Sequence, residues 1–477
     1  MVFGFDPRKR REFILRGPII KMAFVLAAPF MIQNLVNISY NIVDAIWLNM
    51  LGTRFFAAVR GVWPLIFFFN SFGIGLTSAG IAFISQHVGA GNWEEANRNA
   101  GKLLGFALTF SLAVSALGIL TTPAILAFMG IPGEIYPLAV TYIRVIFAGF
   151  VFTVLGMVFY LTMSGVGDTV TPMILGVIAS ATNMVLDPLL IFGWFGFPRL
   201  EVLGAAVATV SARAIPSIVG AALLFRGFRS IKIRPGDMIY DLPWLKKLLK
   251  VGLPLAANMS SSALGFNFLM AIVYRLGTVA VAAYGLAITV VDLVTAFIWG
   301  FRDAIAIMVG QNLGAGLFDR AEEIVRKVTA IIILATTAGT AALIPFSHHL
   351  VTLFTHDPAV IRETTNFVII FSPSLPYLAL FFIGMAVARG SGQTLFMMIA
   401  GIVRLWGIRV LLSYVLALAI GMGTYGVWLA MSLGNVVAGA MAMAWLLSGR
   451  WKKRVIEAPP PPVIEEEVPE PVATDGD

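Results

Sequence analysis

Three apolar stretches carry the polar side chains best suited to chemistry. In the first, NLVNISYNIVDAIW, Asn37, Asn41 and Asp44 follow one another at i, i+4 and i+7, a spacing that puts them on one face of a helix. Tyr40 lies one turn before Asp44. The second stretch holds Asn183 and Asp187 at i, i+4, followed by Pro188, and the third holds Thr209. A carboxylate deep in a membrane-spanning helix is costly and marks a functional site by default. Two of them in one low-dielectric pocket cannot both ionise cheaply, so the pair is a place where a proton can be taken up and given off. Asp44, Asn183, Asp187 and Thr209 also offer the oxygens that could hold Na⁺. The candidates for cation coupling are therefore Asp44, Asp187, Asn183, Asn41 and Thr209. Asn37, Tyr40, Phe67 and Asn70 combine aromatic surface with amides and are candidates for contact with an organic substrate. Pro188 removes a backbone donor and predicts a kink beside Asp187.

The elements that must position these residues are transmembrane helices. Of 477 residues, 59% are hydrophobic and only 12% charged, with a mean hydropathy of +0.89. The apolar runs mostly exceed the ~20 residues that cross a bilayer as a helix. They predict an all-α polytopic membrane protein with about twelve spans, near 19–49, 54–86, 95–119, 136–162, 170–194, 203–225, 246–273, 279–309, 321–344, 361–387, 395–419 and 424–448. The chain contains no cysteine, which excludes disulfides, thiol catalysis and cysteine-held metals. The net charge of +8 reports orientation here and not a nucleic-acid partner. With the N-terminus in the cytoplasm, basic residues from Arg8 to Lys21, from Arg226 to Lys250 and from Arg450 to Arg454 fall on the inside, as do Arg320, Arg326, Lys327 and Arg389. Few fall outside, which predicts both termini in the cytoplasm of a plasma-membrane protein. Arg8 to Arg11 followed by a full-length span does not read as a cleavable signal.

The chain repeats itself. Gln86-His-Val-Gly89-Ala-Gly91 matches Gln311-Asn-Leu-Gly314-Ala-Gly316, 225 positions later (311 − 86). The same offset pairs Pro29 with Pro254, Gly75 with Gly300, and Gly165-Val-Gly167 with Gly390-Ser-Gly392. With six spans each, both copies enter the membrane from the same side, as parallel repeats about a pseudo-twofold axis along the membrane normal. The expected organisation is a cytoplasmic segment at 1–17, an N-lobe at 18–225, a cytoplasmic linker at 226–243, a C-lobe at 244–450, and a disordered Pro- and Glu-rich cytoplasmic tail at 451–477. Two lobes around a midplane cleft describe a carrier working by alternating access. Asp44 maps onto Leu269 and Asp187 onto Leu412 in the second copy, so the acids belong to the first lobe and not to the shared scaffold.

Asn41-Ile-Val-Asp44-Ala-Ile-Trp47, the twin Gln86 and Gln311 loops, Gly165-Val-Gly167-Asp168-Thr169 and Asn183-Met-Val-Leu-Asp187-Pro188 occur in this order over the duplication. In this the chain, over residues 18–448, resembles the multidrug and toxic compound extrusion family, most closely its archaeal and bacterial members. The resemblance implies a secondary antiporter, not an enzyme. It would export small amphipathic, often cationic compounds against inward H⁺ or Na⁺ flow, as a monomer among membrane lipids and without a cofactor. Some members place a cation site on acids of the seventh and tenth spans; these spans carry no acid here, which argues against a C-lobe cation site. The C-lobe has Asp292, Arg302, Asp303, Arg404 and Arg409 instead. Asp292 with Arg404 or Arg409 reads as a neutralised interhelical pair, and Asp303 as a partly solvated residue near the cytoplasmic end. The rival readings are a lipid-linked oligosaccharide flippase of the related superfamily, for which the two arginines speak, and an intramembrane enzyme, for which no nucleophile–base set is found.

Overall fold

The computed structural model describes residues 7–457, which are helical almost throughout. A short α1 (Pro7–Arg16) leads into α2 (Ile19–Leu51), α3 (Thr53–Gly89), α4 (Trp93–Phe128), α5 (Tyr136–Ala148), α6 (Phe150–Gly165), α7 (Val170–Phe192) and α8 (Glu201–Arg226). After a polar connection come α9 (Leu242–Arg275), α10 (Thr278–Gly314), α11 (Phe318–Thr352), α12 (Pro358–Phe371), α13 (Leu375–Ser391) and α14 (Leu395–Ile402). The last of these continues as a π-helix over Val403–Val410, a turn of α15 (Leu411–Tyr414) and a second π stretch over Val415–Ala419. The chain then turns into α16 (Gly423–Leu447).

Among the described residues, eleven helical segments are long and apolar enough to cross a membrane, and α5 with α6, bent by 42° at Gly149, make a twelfth. Large side chains such as Leu120, Leu334 and Phe346 are exposed on the outside of the bundle; such an apolar exterior is what lipid covers. All the expected spans are present, and some run longer. The third reaches Phe128 because the hydroxyls of Thr121 and Thr122 donate to the carbonyls of Leu117 and Gly118 four residues back, which lets polar residues stay inside the helix.

Helices of the two repeats cross over one another, α3 lying on α9 and α10 on α2. The repeated glycines make this approach feasible. A Cβ at Gly75 would overlap the backbone of Ala256 in α9, and one at Gly300, its counterpart, would overlap Met31 in α2. Small residues at such crossings replace the hydrophobic drive that lipid removes.

The connection from 226 to 243 is not a loose tether. Ile231 and Ile233 are buried, and the turn Pro235–Met238 lies against α4 at Gly101 and Gly105. Residues 451–457 also differ from the disorder expected from 451 onward. Trp451 is 1% exposed, its indole donates to the Leu446 carbonyl (2.9 Å), and the Val455 amide donates to Gln86 Oε1 (2.8 Å). Trp451, Val455 and Ile456 supply an apolar anchor that the composition of the whole tail masks. Its remainder, 458–477, lies outside the described residues.

Candidate functional site

Asp44 and Asp187 come together in the N-lobe. Asp187, on α7, is fully buried, and Asp44, on α2, is close enough to act on it electrostatically. Asn183 joins them one turn before Asp187. With its amide assigned to satisfy both ends, Nδ2 donates to Asp187 Oδ2 (3.0 Å) and Oδ1 accepts from the Thr209 backbone amide of α8 (3.1 Å). Tyr40 lies beside the Thr209 side chain. Pro188 lies inside the continuous helix α7 rather than at its end.

Two members of this cluster escaped the sequence reasoning. Arg213, on α8, acts through space on Asp44 and Tyr40, and its Nη1 donates to Thr153 Oγ1 on α6 (3.2 Å). Tyr142, on α5, is buried within reach of Asp44, Tyr40 and Asp187. Arg213 had a signal, being a charge inside the sixth span; Tyr142 had none, a lone tyrosine being ordinary in such a segment. Asn41 stays outside. It is exposed, and its Nδ2 donates to the Asn37 carbonyl of its own helix (2.8 Å). Sharing a face with Asp44 is offset by that backbone bond, which satisfies the amide locally.

A cavity of about 770 Å³ opens between the lobes, within the size range of organic-ligand sites. Of the residues put forward for substrate contact, Asn37, Phe67 and Asn70 line it, whereas Tyr40 does not and lies with the acid cluster. Thr153 lines the cavity and bonds Arg213, so it joins the two sites.

The C-lobe wall of this cavity carries Asp292, Arg302, Asp303, Arg389, Arg404 and Arg409, arranged differently from expectation. Asp303 is buried, not solvated; Arg389 Nη1 donates to it, Arg302 Nη2 lies 3.4 Å away, and the Tyr160 hydroxyl donates from α6 at 3.1 Å. Arg389, expected in a cytoplasmic loop, is thus inside α13 and consumed by Asp303. Asp292 pairs with neither Arg404 nor Arg409. Its Oδ1 accepts from the Thr295 hydroxyl (3.2 Å), while both arginines turn to the Asn435 amide oxygen.

The twin glutamines, which sit in the last turns of α3 and α10 rather than in the loops expected, close the cavity on the side that holds α1 and residues 449–457. Gln86 Nε2 donates to the carbonyls of Gly390 (3.0 Å) and Ser391 (3.3 Å), and Gln311 Nε2 to that of Gly165 (2.8 Å). Gly89 meets the Gln311 backbone and Gly314 the Gln86 backbone so closely that a Cβ at either would overlap it. Each loop is clasped by an arginine from a chain end: Arg11 donates to the Val88 and Gly89 carbonyls, and Arg454 Nε to that of Leu313 (2.9 Å). Beside them Asp168 is held by Arg10 Nη1 and Arg229 Nε, each 2.9 Å away. Burial opposes its charge, but Arg10 and the Thr171 hydroxyl overcome this and hold the carboxyl below its usual range.

The architecture and the duplication have counterparts in known proteins. The MatE family model matches residues 29–189 and 254–415, one block in each repeat. The chain is 28% identical to the probable multidrug resistance protein YoeA of Bacillus subtilis, over 85% of this chain and 88% of that one. It is 27% identical to the probable multidrug resistance protein NorM of Thermotoga maritima, over 93% and 94%. A crystal structure of MATE in the bent conformation superposes with a TM-score of 0.85 at 26% identity, covering 92% of this chain and 97% of that one. With both repeats matched and a transporter fold throughout, this chain belongs to the MatE family of multi-pass membrane transporters and is not an enzyme.

Proposed function

We propose that the protein is a secondary active antiporter that exports small amphipathic organic compounds by alternating access, driven by cation entry at Asp44 and Asp187. The observation that carries this reading is the convergence of the buried Asp187 and the part-buried Asp44 with Asn183, Thr209, Tyr40 and Arg213 in one lobe only. Loading the cluster with a cation changes its charge in a low-dielectric site, and such a change biases whichever lobe conformation solvates it better. Arg213 and Thr153 carry the effect to the cavity wall.

A proton fits the cluster better than Na⁺. The Asn183 amide oxygen is occupied by the Thr209 backbone amide and its nitrogen faces Asp187, so the oxygen set that Na⁺ would need is incomplete. Arg213 adds a positive charge beside Asp44, which repels a second cation. Substrate would contact Asn37, Phe67 and Asn70. The side closed by the glutamine loops is taken as cytoplasmic, with both chain ends on it, in the plasma membrane; the state described is then closed inward.

The test is dye accumulation in inverted membrane vesicles under an imposed pH or Na⁺ gradient. Accumulation that follows the pH gradient, and that is lost in Asp44→Asn and Asp187→Asn, is expected. Wild-type accumulation in both variants sinks the coupling role.

A further inference from the structure

Two arginines face this cavity without an acid to neutralise them. Arg404 and Arg409 are 7% and 4% exposed and both line the cavity. Among the described residues no carboxylate lies in ion-pair contact with either. Arg404 Nη1 lies 3.5 Å and Arg409 Nη2 2.8 Å from a single neutral acceptor, Asn435 Oδ1. Asn435 is itself fixed by donating to Ser374 Oγ (2.8 Å). Arg404 stacks over Phe381 and Arg409 over Phe371, with centroid distances of 4.7 and 5.7 Å. The Nε of each has no hydrogen-bond partner. Two desolvated guanidinium groups sharing one amide oxygen form an unfavourable arrangement unless something else completes it.

Their alignment is itself a product of the local backbone. In an α-helix, positions five apart point about 140° away from each other. Val403–Val410 is a π-helix, whose i→i+5 repeat sets positions five apart one above the other. Arg404 and Arg409 are five apart, and this segment turns both onto the Asn435 side. Such π segments cluster at functional sites.

We propose that Arg404 and Arg409 are a receptor for the phosphate group of an amphipathic substrate, set into the C-lobe wall of the cavity. Planar guanidinium forks match phosphate oxygens and bind them through paired, charge-assisted hydrogen bonds. With the aromatic faces of Phe371 and Phe381 holding the planes, the unused donors are left for a ligand. The charge inventory of the cavity agrees: Asp303 is consumed by Arg302 and Arg389, which leaves Asp292 as the remaining acid against two arginines. Phe67, Asn37 and Asn70 across the cavity would receive the apolar body. This deepens the transport reading, on which it rests for the cavity being the transport path, and it names the substrate class as phosphate-bearing amphiphiles. The same group is present on a soluble organic phosphate and on a lipid headgroup.

The test uses full-length protein in maltoside micelles and three probes with one ring system: 1-naphthyl phosphate, neutral 1-naphthol and 1-naphthylmethylammonium. Calorimetry should show the phosphate binding tightest. Arg404→Gln and Arg409→Gln should each weaken it by about 10- to 100-fold, the worth of a charged hydrogen bond, while naphthol binding is unchanged. If a glutamine variant fails to fold, the wild-type probe series decides alone. Equal binding of all three probes, or preference for the ammonium, overturns the proposal. Phosphorus analysis of extracted lipid separates the two sources. Co-purified phospholipid that falls in the variants supports the site with a headgroup as ligand; unchanged lipid with lost naphthyl phosphate binding supports it with a soluble one. Vesicle transport separates this proposal from its premise. Gradient-driven ammonium export without phosphate binding overturns the receptor and leaves the antiporter. Phosphate binding without gradient-driven transport retains the receptor and removes the antiporter.

Discussion

Replacing Gln86 by alanine should release the closed side of the cavity. The Gln86 side chain makes three dehydrated hydrogen bonds, to the carbonyls of Gly390 and Ser391 and from the amide of Val455. All three reach from α3 into the second repeat or its C-terminal extension, so they are made only while the lobes are closed here. At a net ~0.5–1.5 kcal/mol each they contribute about 1.5–4.5 kcal/mol to that state, and the Val455 amide left unpaired adds to the loss. Taking ~3 kcal/mol, the open population rises on the order of 100-fold. The chain has no cysteine, so a single introduced thiol reports opening without background. Ser85 suits this purpose, being fully buried against Gly310 with a hydroxyl that has no partner. Ser85→Cys should react slowly with a membrane-impermeant maleimide in inverted vesicles, and about 100-fold faster when Gln86→Ala is added. An unchanged rate in a protein that still unfolds cooperatively would refute the latch.

Three further outcomes are expected. Asp187→Asn and Asp44→Asn should each reduce gradient-driven export to background while gel filtration and thermal unfolding show a folded protein; export at the wild-type level would remove the coupling role. Asp168 should make stability depend on acid pH. Its folded pKa lies below the unfolded one, so the native state binds fewer protons. Its contribution is therefore full above about pH 4 and is lost as pH falls through the lower folded value. Thermal unfolding of wild type and Asp168→Asn should differ at pH 7, by ~3–5 kcal/mol for a buried pair deprived of one partner, and the gap should narrow as pH falls below about 4, by at most ~1.4 kcal/mol per pH unit for one proton. Arg11→Gln and Arg454→Gln, which strip the clasp from one loop each, should each raise the Ser85→Cys labelling rate by less than Gln86→Ala does, since the cross-lobe glutamine bonds remain.

The helices, their number and the duplication were legible because membrane insertion writes them directly into hydropathy and because close helix crossings demand glycine at matching positions. Asp44, Asn183, Asp187 and Thr209 were legible for a related reason: in lipid a polar residue stands out. Asn41 misled because helical periodicity says which residues share a face, not which are satisfied by their own backbone. Tyr40 lies with the acid cluster rather than on the cavity wall because Thr209 and Arg213, beside it, come from another helix, which spacing within one helix does not reveal. The Arg404–Arg409 alignment was beyond reach, since α-helical spacing puts those side chains on different sides and nothing local announces a π-helix. The pairing of Asp303 with Arg389 was hidden by assigning Arg389 to a loop from charge alone.

The two repeats divide what they keep from what they change. The closure parts are retained at one offset: Gln86 with Gln311, Gly89 with Gly314, and their acceptors Gly390 and Gly165. The charges are not. Asp44 and Asp187 face Leu269 and Leu412 in the other copy, and Arg404 and Arg409 face Ala179 and Met184. A duplicated hinge has to fit its partner in both copies, because each glutamine closes on the other repeat's backbone and neither can drift alone. An ionisable side chain inside one lobe has no such reciprocal partner and is free to specialise. Coupling between an acid cluster in one lobe and a ligand held in the other then has to pass through the closure they share, since coupling free energy requires a common equilibrium that both sites bias. Gln86→Ala should for that reason change cation-driven export and the apparent affinity of the C-lobe wall together, because a ligand that biases the shared equilibrium must register its displacement; unchanged affinity beside altered export would show that the ligand does not sense the closure.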